Sequence, residues 1–217
     1  MESSGRERRF RIAHGWQASA AAEVSPALIR DFIRPAVRAI PSDMVRQLGP
    51  CRVSIVNDLG SPSVASRWTL SGARIEISLA TAGRDHHDIA LELLVCLGQA
   101  LWERLSDLQR KAYWGLLDDE TRAGVPGEID EEALKQKRLL FSSRHSAASR
   151  RRLERYGSAS LAGTAAEYIH SLWHDVRVRT GVRFLPAEQL RRRLELLAQW
   201  YPPGRGYRLF PPPSPKR

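Results

Sequence analysis

The chain has 217 residues, 42% of them hydrophobic, a formal net charge of +10 and a pI near 10.4. That length suits one domain with a full core and crowds out a second. No segment is long and apolar enough to span a bilayer, and the N-terminus lacks the apolar stretch of a secretory signal. Two cysteines, Cys51 and Cys96, make no disulfide framework, so the expectation is a cytoplasmic protein without a membrane partner.

The positive charge raises nucleic acid as a partner through a basic surface. Thirty of the 34 basic residues are arginines, spread along the chain with short clusters at Arg150–Arg152 and Arg191–Arg193. Neither cluster is interleaved with aromatic residues as a base-stacking platform would be. A solvated basic face is the simpler reading.

Taken in order, residues 1–24 read as a flexible basic arm, 25–201 as the folded domain and 202–217 as a proline-rich tail. Ser25-Pro26 opens a helix that Pro35 must kink or divide, and Pro41 to Leu48 forms a second short one. Arg52–Val56 and Arg74–Leu79 alternate with period two and predict strands, with Trp68–Leu70 as an edge strand. Asp85 or Asp88 caps a buried helix through Glu103, whose helical pattern runs on to Leu116. Asp118 to Glu132 is polar and reads as a loop, Glu131 to Phe141 as a helix and Ser142 to Ser149 as a connector. Arg150 to Tyr156 and Thr164 to Val178 read as two helices separated by a small, flexible Gly157–Gly163 stretch. The last helix runs from Pro186 to Trp200.

The long buried helix carries one carboxylate, Glu92, in the run Leu91-Glu92-Leu93-Leu94-Val95, with Leu97-Gly98 after it. Further on stand Tyr156, Gly163 and the pair Ala166-Glu167. This order of helix, small sheet, buried helix and helical second half resembles the zincin metallopeptidases, the branch with two His on one helix and a Glu on a later one. Their His-Glu-x-x-His places both imidazoles on one helical face and the Glu beside them as general base. Here the motif falls on Leu91 to Val95. The resemblance therefore assigns the ligand positions to Leu91, Val95 and Gly163, none of which offers a lone pair. It assigns the base to Glu92 and the oxyanion-steadying Tyr to Tyr156. What it implies is a zincin-like α+β domain with a small, mostly antiparallel sheet, without its zinc. That is a degenerate peptidase now serving as a protein-binding or regulatory module.

Two other readings stand beside this one. Asp88, Glu92, Gln99 and Glu103 share a stripe, so Glu92 fits an ordinary polar face. His170 and His174 are one turn apart, and with Glu167, and His86 or His87, they have the spacing of a relocated metal site for a divergent hydrolase. It would lie about two helical turns, roughly 10 Å, from Gly163. Zinc is expected as a cofactor only in that case. Cys96, inside an apolar helix, reads as inert packing.

Overall fold

The computed structural model describes residues 7–142, 146–174 and 183–210, and is α+β. Five strands form one mixed sheet: β1 (Arg8–Arg11), β2 (Gln17–Ala20), β3 (Cys51–Val56), β4 (Ser66–Ser71) and β5 (Arg74–Ala80), in the order β1-β2-β3-β5-β4. Among the described residues there are seven α-helices: α1 (Arg34–Ala39), α2 (Ser42–Leu48), α3 (His86–Arg104), α4 (Asp107–Arg122), α5 (Glu131–Phe141), α6 (Ser146–Trp173) and α7 (Ala187–Trp200).

The alternation read in the sequence has a direct outcome. Val53 and Ile55 of β3, with Ile75, Ile77 and Leu79 of β5, are buried on one face of the sheet, while Arg52 is exposed on the other. Helix α3 lies over the buried face between the sheet and α6. It is nucleated by the expected cap, Asp85, whose carboxylate accepts the Asp88 N–H at 2.8 Å.

Several expectations are corrected. The stretch read as a flexible arm contains β1 and β2, which are paired antiparallel, and β2 also pairs parallel with β3. The buried partners Ala18 and Ala20 secure that register. Arg8 donates to the Val24 carbonyl, so even the arginines there are engaged. The sheet is not mostly antiparallel, because β2–β3 and β3–β5 are both parallel. The helices between β2 and β3 return the chain to the same end of the sheet, and β5 inserts between β3 and β4. β4 and β5 are joined tightly at Gly72, whose φ of +61° suits the first position of a two-residue hairpin loop.

The interruption expected at Pro35 takes the form of a π-helical turn, Leu28–Ile33, in which the Arg34 N–H donates to the Ile29 carbonyl. The helical pattern does not run through to Leu116. It breaks at Leu105, and Ser106 with Gln109 forms a reciprocal capping box that starts α4. α4 then continues to Arg122, inside the region read as a loop, because Leu117 and Glu120 are both buried.

Residues 157–163 are helical, not a flexible link, so the two expected helices are the single helix α6. Their small side chains serve close packing rather than mobility. A Cβ on Gly157 would sit 2.5 Å from the Trp102 ring, and one on Gly98 would sit 2.7 Å from the Cα and carbonyl oxygen of Ala162. α3 and α6 therefore cross with their backbones almost touching, and tertiary contact overrides the poor helix propensity of glycine. Gly98→Ala should destabilise the domain by about 1–3 kcal/mol through overpacking. Thermal unfolding reads this directly; an unchanged melting temperature would contradict the close approach. Residues 146–149, read as part of a connector over 142–149, begin α6 instead, while 1–6 of the expected arm, 143–145 of the connector, the helix end at 175–178 and the polyproline run at 211–217 lie outside the described residues.

Candidate functional site

The crossing of α3 and α6 brings together three positions that are far apart in sequence. Leu91 and Val95 project from α3 toward Gly163 and Ala166 of α6, and together they line a cavity of about 140 Å³. Ile129, Phe184, Leu185 and Leu190 add to its apolar wall, while Glu128, Asp130 and Glu167 supply carboxylates. An outer groove of about 850 Å³ shares Asp130 and Phe184 with it and reaches Ser63, Glu92 and α5. The result is a cleft with a small apolar socket in its floor.

Glu92 lies on the wall of this groove and accepts a hydrogen bond from Ser66 Oγ of β4 at 2.8 Å. Gly163 is conspicuous for what occupies the space beside it. A Cβ there would lie 2.5 Å from Asp130 Oδ2, so an aspartate carboxylate fills the volume of the missing side chain. Asp130 also caps α5, accepting from the Ala133 N–H at 2.7 Å. Burial pushes its carboxyl above the ordinary range.

Tyr156 stands behind the socket wall and does not line the cavity. It is 1% exposed, and its hydroxyl donates to Glu128 Oε1 at 2.5 Å. Burial, then the negative Glu128, pushes its pKa far up, so it stays a neutral donor. Glu128 belongs to a buried ionic cluster that sequence reasoning did not anticipate. Arg193 of α7, fully buried, donates to Glu128 at 2.8 and 3.0 Å and to Glu120 of α4 at 2.5 Å. Lys137 donates to the carbonyls of Val125 and Gly127 and lies 3.6 Å from Glu128. Two carboxylates and two cations thus balance one another.

Arg193, read with Arg191 and Arg192 as part of a solvated basic face, is buried instead, and its sequence position carries a signal for this. It falls between Leu190, Leu194 and Leu197, on the apolar face of α7, where a cation must find partners. Glu128 carries no such local mark.

The histidines divide differently from the expected grouping. His87, in the first turn of α3, meets His170 of α6, with their Nε2 atoms 3.0 Å apart. His174 has its ring centroid 5.9 Å from that of His87 and 5.5 Å from that of His170. His86 packs edge-on against Phe32 instead. Glu167 borders the socket. Cys51 and Cys96 are both buried, and burial pushes the Cys96 thiol up to about 11, in keeping with inert packing.

No protein-family model, curated protein or solved structure matches the chain. Among the described residues no helix is long and apolar enough to cross a membrane. The donor set at Leu91, Val95 and Gly163 does not fit zinc. Two aliphatic side chains and a glycine present no lone pair. Glu128 is already committed to Arg193 and Tyr156, and Asp130 to its helix cap.

Proposed function

We propose that the domain is a zincin-like scaffold that has given up peptide hydrolysis and uses its cleft to hold an extended segment of a partner protein. The supporting observation is the convergence of Leu91, Val95 and Gly163 on one socket. The resemblance assigns these three positions, the first and last 72 apart in sequence, to a single metal, and they line one cavity where α3 and α6 cross.

The cleft suits an extended chain. β4 is an edge strand of the sheet, and its first residue, Ser66, is bonded to Glu92 on the groove wall, so its outer edge is the place for strand addition. An apolar side chain of the partner would enter between Leu91, Val95 and Leu190, and Asp130 and Glu167 at the rim favour a basic neighbour. Glu92 then holds Ser66 and the start of β4 in place rather than activating water.

Casein incubated with the protein, with and without added zinc, should remain uncut. A displayed peptide library should yield binders whose affinity is lost in Val95→Trp, which fills the socket. Peptidase activity abolished by a chelator would overturn the reading. So would peptide binding indifferent to Val95→Trp.

A further inference from the structure

The three histidines at the other end of the α3–α6 crossing form a second constellation, one turn from the socket and independent of it. His87 sits four residues before Leu91 on α3, and His170 and His174 follow Glu167 on α6. The paired Nε2 atoms of His87 and His170, 3.0 Å apart, come from two different helices. A divalent ion bonded to two imidazoles at about 2.1 Å holds their nitrogens at about this separation or slightly more. His174, one turn along α6 from His170, lies in ring contact with both.

Two buried polar atoms at this place have no hydrogen-bond partner, His170 Nδ1 and Trp173 Nε1. His170 is only 9% exposed, and the ring of Trp173 stands against it edge-on, 5.8 Å between centroids. The nitrogen that an ion would take is Nε2, which faces His87, and Nδ1 of the same ring is not a ligating atom in this arrangement. Around His87 stand Asp85 and Asp88, whose carboxylates lie within 4.8 Å of its ligand atom and of each other. They offset the positive end of α3, which would otherwise repel a cation.

We infer that His87 and His170 form the core of a binding site for a zinc-type divalent transition-metal ion, which His174 and Asp85 or Asp88 complete by a change of rotamer. Imidazole nitrogens with a nearby carboxylate select zinc, cobalt or nickel over magnesium or calcium. The ion would tie the first turn of α3 to the end of α6.

The test uses the untagged full chain, stripped with a chelator and titrated with zinc against a chromophoric competitor. Cobalt should bind in parallel and give visible d–d bands. One equivalent is expected. His87→Ala and His170→Ala should each weaken binding at least about tenfold, and His174→Ala should weaken it less. Circular dichroism of each variant separates lost ligation from lost folding, and His87→Gln serves if alanine perturbs the helix start. Absence of zinc and cobalt binding by the folded wild-type chain would overturn the site. Binding that survives both His87→Ala and His170→Ala, or that depends only on Asp85 and Asp88, would overturn it equally.

Discussion

Leu91→His combined with Val95→His should give the socket a zinc site that it lacks. The double variant would place two imidazoles at i and i+4 on the same face of α3, directed at the cavity that Asp130 and Glu167 border. Asp130 Oδ2, the oxygen not used by the helix cap, already occupies the space beside Gly163 and is the candidate third ligand. The substitutions belong in a His87→Ala background, because His87 is one turn from position 91 and would otherwise join the new pair. A control pair, Arg191→His with Glu195→His, puts the same spacing on the exposed face of α7. The socket pair should hold zinc more tightly than the control by on the order of tenfold to a hundredfold, reflecting the additional ligand and its support. Equal affinity for the two pairs would mean that the socket has no metal-site geometry, and the family reading would fall with it.

The second large effect concerns Arg193. Removing one member of a buried ion pair leaves its partners charged and uncompensated, at about 3–5 kcal/mol. Arg193→Met strands both Glu120 and Glu128, so it should lower the melting temperature by roughly 6–20 °C for a chain of this size. Glu128→Gln, which keeps shape and some hydrogen bonding, should cost less. The acid limb of the stability curve gives a second readout. Desolvation pushes the Glu128 carboxyl up, but the Arg193 charge and hydrogen bonds, Tyr156 and Lys137 outweigh it and hold the group below the usual carboxylate range. A depressed carboxyl contributes stability that is present above its unfolded pKa and lost as pH falls through its folded one. Wild type should therefore lose this share of its stability on acidification below about pH 4, and Glu128→Gln should show a shallower acid limb. A wild-type acid limb no steeper than that of Glu128→Gln would contradict the assignment.

What could be read from the residues depended on the range of the force involved. Period-two alternation at Val53, Ile55, Ile75, Ile77 and Leu79, and the Asp85 cap, are local signals, and each has its expected element. The joining of 157–163 to its flanking helices was not legible, because glycine propensity speaks for a break while Trp102, Trp114 and Asp130 demand small neighbours from across the fold. β1 and β2 were hidden for a related reason, since short arginine- and alanine-rich stretches become strands only when β3 is there to pair with them. Leu91, Val95 and Gly163 line one cavity. That Asp130 fills the gap beside Gly163, and that His87 rather than Glu167 meets His170, needed the crossing of α3 and α6 itself. The carboxylate partners of Arg193 come from 65 and 73 residues away, with nothing in their own neighbourhoods to announce them.

Those separations bear on the order in which the molecule assembles. An arginine moving into an apolar interior before its carboxylates arrive is strongly disfavoured, and so is Glu128 without its cation. α7 therefore gains little by docking partway, and its seat closes only when α4, the 128–130 segment and α6 are already home. Because the same segment walls the socket, and is tied by backbone hydrogen bonds to Arg183 and Leu185, the cleft takes its shape only with α7 in place.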